Sequence, residues 1–185
     1  LTGLLPPAHG VRDNSGFVLV PRAERAFETI AEIARQDGRT TAAFVAADPV
    51  ASRFGLAAGF DVYDQVAKRA GGGDLHFAER DAATVTKAAV DWFQTQSPES
   101  SFVWVRYFDP HHPWTRHAGR PGRIAANAKS DYAGEVAYMD DEIGRLLAAW
   151  KAQAVWDDTL VIVIGDHGEG LGEHGEESHG YLAFD

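Results

Sequence analysis

The 185-residue chain contains no cysteine and one methionine, and it carries 17 Lys and Arg against 27 Asp and Glu. The absence of cysteine removes disulfides, thiolate zinc sites and a cysteine nucleophile together. It leaves the redox compartment open, because a chain without thiols survives in cytosol and periplasm alike. The basic deficit leaves a net charge of −10 and argues against a nucleic-acid partner, whose binders present basic faces. Long apolar runs are missing too. The strongest, Leu160–Ile164, is strand-sized, far short of the ~18 residues that a bilayer span needs. The N-terminus shows neither the basic start nor the apolar stretch of a leader. It begins at Leu1, which is read as the mark of a piece of a longer protein.

What is present is ordinary globular material, 45% apolar and 24% charged. The length suits one compact domain over 1–185. Periodicity changes type along the chain. Pro21 opens a stretch with Phe27, Ile30, Ala31 and Ala34 on one helical face, ending at Asp37-Gly38. Residues 40–46 read as a buried strand, 48–76 as irregular, and 78–96 as a helix with Val85, Ala89, Trp92 and Phe93 inward. A second strand is expected at 101–108. A long loop follows, then a helix capped by Ser130 with Tyr132, Val136, Met139, Ile143, Leu146, Leu147 and Trp150 at helical spacing. Residues 159–164, nearly all β-branched, are expected as a third strand. Helix–strand alternation predicts an α/β fold, a mainly parallel sheet covered by helices on both faces, with the three strands parallel in one sheet.

Ligands of such sheets bind beyond the carboxyl ends of the strands. Two stretches fall there: Asp109-Pro-His-His-Pro-Trp114 and Gly165-Asp-His-Gly-Glu-Gly-Leu-Gly-Glu-His-Gly175. Six of the eight histidines lie within 111–117 or 167–179, and 157–185 holds eight acids with no Lys or Arg. Such a cluster is costly unless solvent or a cation neutralises it. Asp166-His167 pairs a hard oxygen with an imidazole, which suits Mn²⁺, Zn²⁺ or, with more oxygens, Ca²⁺. The same pair also reads as a turn-capping carboxylate beside a hydrogen-bonded loop histidine. His111, in a Pro-bounded turn, reads as a donor or general acid on a substrate oxygen, or as a ring packed on Trp114 or Tyr107. His112 and His117 read as solvent-side, Glu169, Glu173, Glu176 and Glu177 as a solvated acidic loop, and Asp140 and Asp141 as facing water. The glycines at 71–73 lack phosphate-loop spacing and mark a turn.

Taken together, these motifs resemble the sulfatase family of the alkaline-phosphatase-like superfamily. Leu1-Thr-Gly3 through Arg12 resembles the segment after that family's nucleophile motif. Gly59-Phe-Asp-Val-Tyr63, Phe108-Asp-Pro-His-His-Pro-Trp114, Tyr138-Met-Asp-Asp-Glu-Ile-Gly144 and Asp166–Gly175 follow in the family's order. The resemblance implies that Asp166 and His167 are metal ligands, with Ca²⁺ the first choice and Mn²⁺ or Zn²⁺ the others. It implies that His111 contacts the transferred group, and that His179 holds the substrate's charged oxygens. Asp-His, rather than Asp-Asn, is common in relatives acting on phosphorus esters. The family's Lys-x-His pair is replaced by Ala46-Ala47-Asp48-Pro49.

The implied activity is metal-dependent hydrolysis of a small-molecule or glycan sulfate or phosphate ester, by a nucleophile upstream of Leu1. A phosphoethanolamine- or phosphoglycerol-type transferase and a non-catalytic binding domain are the alternatives. The piece alone is expected to be inactive and prone to self-association through an exposed edge.

Overall fold

The computed structural model describes residues 1–13, 16–66, 78–96, 99–114, 128–176 and 178–179. The chain divides into two compact units, 1–108 and 109–185. The Gly71–Gly73 turn, His117 and Glu177 lie outside the described residues.

The first unit opens with a short helix, α1 (Pro6–His9). Helix α2 covers Ile30–Gln36, later than the start expected at Pro21; a single 3₁₀ turn at Arg22–Glu24 precedes it. The reason is a capping box. Thr29 Oγ1 accepts the Glu32 N–H at 3.1 Å, and Glu32 Oε2 accepts the Thr29 N–H at 2.8 Å, which sets the first turn there. Arg25, buried, grips both Glu32 oxygens at 2.7 and 2.8 Å and holds the incoming chain against the helix.

Strand β1 (Thr40–Val45) is flanked by β2 (Val62–Asp64) and β3 (Ser101–Arg106), both parallel to it, in the order β2-β1-β3. The parallel pairing of the first two expected strands is therefore present. β2 falls inside a stretch read as irregular, because three residues are too few to show a period of two. Helix α3 (Ala82–Gln96) joins β2 to β3 and buries Val85, Ala89 and Phe93.

Thr41–Val45 are all buried, as a central strand requires. On one face Phe44 meets Trp92 of α3, ring centroids 5.8 Å apart. On the other, Thr41 and Ala43 sit in register with Phe102 and Trp104, which stack on Phe60. Phe60 is brought there by Gly59, whose φ of +90° and missing side chain let the backbone touch α2. A Cβ at Gly59 would lie 2.3 Å from the Glu32 nitrogen.

The second unit is built on α4 (Ala128–Lys151), which begins two residues before Ser130. Its buried positions are Glu135, Glu142 and Leu146, whereas Val136 is exposed. The buried stripe is thus rotated from the apolar one read off the sequence. Glu142 is tied to Arg145 at 2.8 Å, and Asp140 and Asp141 are exposed, as expected.

The third expected strand does not form. Residues 160–164 join no ladder among the described residues, and their side chains face solvent, Leu160 at 83% and Ile164 at 81%. Side-chain character gives a segment the propensity for a strand, but only a partner's N–H and C=O groups make it one.

Candidate functional site

Both chemistry-bearing stretches belong to the second unit. The loop after Ile164 is folded by local contacts. The Gly172 N–H donates to the Glu176 carbonyl at 2.7 Å, and Glu173 Oε2 accepts the Leu171 N–H at 2.9 Å. Gly170 runs so close to the returning chain that a Cβ would lie 2.4 Å from the Ser178 carbonyl oxygen. The loop therefore doubles back, and residue 169 comes opposite residue 179.

Three of the four residues singled out from the sequence converge in this fold. The His167 and His179 rings lie 4.4 Å apart, and the His111 and His179 rings 5.0 Å apart, centroid to centroid. Each ring has its Nδ1 beside an oxygen. His111 Nδ1 is 2.6 Å from the His112 carbonyl, His167 Nδ1 2.8 Å from the Gly168 carbonyl, and His179 Nδ1 2.8 Å from Glu169 Oε1. A carbonyl or carboxylate oxygen only accepts, so each of these contacts suits a ring with its proton on Nδ1. Burial pushes the His111 imidazole below its ordinary pKa. The bond to the His112 carbonyl opposes that shift, the His179 and His167 rings add to it, and the Glu169 carboxylate opposes it.

Asp166, exposed, accepts the His167 N–H through Oδ1 at 3.2 Å. The local bonds of the turn-capping alternative are thus present, and they orient the pair without consuming His167 Nε2. As a donor set, a solvent-facing carboxylate beside an imidazole with Nδ1 protonated suits a divalent cation. The fit is partial, because among the described residues no group of three His, Asp or Glu comes together as a metal shell. His174, in the left-handed region at φ 56°, is exposed.

His112, not His111, is the ring that packs on Trp114, at 5.3 Å. Trp114 in turn meets Tyr132 and donates its Nε1–H to the Pro110 carbonyl. The residue that the sequence did not single out is Glu169. It was grouped with solvated acids, yet its side chain is 2% exposed and holds both His179 and Ser178. Asp48, where the family's Lys-x-His pair was sought, is engaged by Arg53.

The sequence profile of the sulfatase family matches residues 1–183, and the chain belongs to that family. Its members generally use a divalent metal ion. Among characterised proteins, a 46-residue stretch is 44% identical to a multifunctional alkaline phosphatase superfamily protein, PehA, from Trinickia caryophylli, covering 25% of this chain and 9% of that protein. A 57-residue stretch is 40% identical to human (Homo sapiens) iduronate 2-sulfatase, covering 31% of this chain and 10% of the relative. The matched stretches thus span about a tenth of these curated relatives. Among solved structures, an alkaline phosphatase superfamily protein from Vibrio parahaemolyticus superposes with a TM-score of 0.54 at 19% identity, over 72% of this chain and 34% of that one. The lipoteichoic acid synthase LtaP from Listeria monocytogenes gives 0.53 at 18% identity, over 72% and 35%. At such identities these two establish the fold: a mainly parallel sheet with helices of the alkaline-phosphatase type. No helix among the described residues is long and apolar enough to cross a membrane.

Proposed function

We propose that the protein of which this chain is part hydrolyses sulfuric or phosphoric esters of small molecules or glycans. The observation that carries the reading is the convergence of the His111, His167 and His179 rings in the same loop region as Asp166. The relatives, a sulfatase and a multifunctional alkaline phosphatase superfamily protein, support both ester classes. The match over 1–183 supports reading both units as the central part of one catalytic domain.

Asp166 and His167 are the residues that would hold a divalent ion, Ca²⁺ first and Mn²⁺ or Zn²⁺ next. Such an ion supplies Lewis acidity toward a nonbridging oxygen and lowers the pKa of a nucleophile. His111, when protonated, donates from Nε2 to the ester oxygen as the bond to sulfur or phosphorus breaks. His179 in its charged form donates from Nε2 to an equatorial oxygen, where negative charge is held in the transition state. On the resemblance of Leu1-Thr-Gly3 to the segment that follows the family's nucleophile, we take the attacking nucleophile to lie N-terminal to Leu1.

The test is turnover of an aryl sulfate, a phosphate monoester and a phosphate diester by the full-length protein, with Ca²⁺, Mn²⁺ or Zn²⁺ added. His111→Ala should lower kcat by about 10²–10⁴-fold with metal content unchanged. Asp166→Ala should abolish metal-dependent turnover. Full activity in the Asp166→Ala protein would overturn the metal assignment.

A further inference from the structure

We propose that Glu169 is a positioning residue. It fixes the tautomer and direction of the His179 ring and so aims Nε2 toward the His111–His167 cluster. Four observations carry this. The Glu169 side chain is almost wholly withdrawn from solvent, and such a carboxylate needs partners. Its Oε1 lies 2.8 Å from His179 Nδ1, the distance of a formed bond, with the Ser178 hydroxyl 3.3 Å away on the same oxygen. The His179 ring keeps its edge-on contact with His111 and its tilted contact with His167 in that orientation. The backbone is shaped for the pairing as well, because the missing side chain at Gly170 is what allows residues 169 and 179 to face each other across the loop.

An imidazole without such an acceptor is free to move its proton to Nε2 and to turn about its χ angles. The charged ring, which donates from Nε2, would then present a rotated edge to the ligand, and the geometry of any oxyanion contact would scatter. A carboxylate behind the ring removes that freedom, as it does for metal-bound histidines and for the histidine of hydrolytic triads. Glu169 touches no ligand in this arrangement and acts only through His179. The kinetic consequence rests on the ester-hydrolase reading above; the ring geometry does not.

The experiment uses the full-length protein, ¹⁵N-labelled at histidine, with Ca²⁺ as the added metal. Long-range ¹⁵N–¹H correlation should show neutral His179 protonated on Nδ1. Glu169→Leu should move the ring to a mixture of tautomers. It should also lower kcat/KM by about 10–100-fold, the usual range for a lost orienting partner, while metal content stays unchanged. Glu169→Asp, which keeps the carboxylate, should restore part of the loss and most of the Nδ1–H form. On a His179→Ala background, Glu169→Leu should cost nothing further, since its only route is through that ring. A wild-type ring protonated on Nε2, or additive losses in the double variant, would overturn the proposal. Should Glu169→Leu fail to fold, the wild-type and Glu169→Asp tautomers decide it. If the wild type turns over none of the esters, the functional reading fails, and the tautomer shift alone still decides the positioning role.

Discussion

Glu32 and Glu169 are both carboxylates drawn out of solvent, and they differ in the company they keep. Glu32, in the first unit, accepts from the Thr29 backbone and from the buried guanidinium of Arg25. Burial alone would raise its pKa, but those hydrogen bonds and the Arg25 charge outweigh it and hold the carboxyl below its ordinary value. These hydrogen-bond partners are fixed in charge and buried in the fold, with the exposed Arg22 guanidinium further off at 3.8 Å, so the network fastens α2 to the chain before it. Glu169 accepts from a histidine ring and a serine hydroxyl, and that ring lies against the His167 and His111 imidazoles. A buried carboxylate whose partners end in the fold contributes stability. One whose partner has a further working atom contributes direction to that atom.

This contrast is open to measurement. The largest expected effect is Glu32→Ala, which strips the countercharge from an Arg25 side chain that is 1% exposed. It should cost about 3–5 kcal/mol in urea unfolding, as removal of one member of a buried pair does. Where the variant remains folded, its kinetics should match the parent's, so a selective loss of kcat would blur the contrast between the two carboxylates. Gly170→Ala comes next. Its Cβ would collide with the Ser178 carbonyl and spread the loop. Turnover should fall by about tenfold or more, equivalent to ~1.4 kcal/mol of transition-state stabilisation, while the global unfolding midpoint moves little. An unchanged rate would show that the loop reaches the same site by another path.

A smaller effect is expected from acid. Asp61 Oδ2 accepts the Thr41 N–H at 3.0 Å, and that bond, against some opposing desolvation, holds its carboxyl below the usual value, with the Thr41 hydroxyl and Arg35 helping. A carboxyl lowered in the folded state contributes stability above its unfolded pKa and loses it as pH falls through the folded one. Stability should therefore decline from about pH 4 downward, and Asp61→Asn should flatten that decline. An identical acid limb in the variant would remove Asp61 from the explanation. The smallest effect is Lys87→Ala. Lys87 and Asp91 form an exposed pair one turn apart on α3, so the change should stay within about 0.5 kcal/mol.

Much of the first unit was legible beforehand because its signals are local. Thr40–Val45 is a run of small, β-branched and aromatic residues followed by alanines, and it sits where a buried strand was expected. The T-x-x-E signature at Thr29–Glu32 marks the true start of α2 more directly than Pro21 does. In the second unit, His111, Asp166 and His167 stood out because they follow strand-like runs, and His179 because of the family resemblance. Glu169 did not, since four acids in a Gly-rich loop look alike until one of them is seen folded beneath a ring.

The sequence by itself determined the family, the alternation of the longer helices with β1 and β3, and the residues with chemical potential, because these depend on residue type and spacing along the chain. Only the tertiary structure decided which loop acid meets His179, which face of α4 is buried, and that β2 flanks β1. It also decided the fate of the two most strand-like runs. Residues 40–45 found neighbours on both edges, and residues 160–164 joined no ladder among those described. Propensity is a property of the segment, whereas pairing, burial and hydrogen-bond partners belong to segments brought together from far apart in the chain.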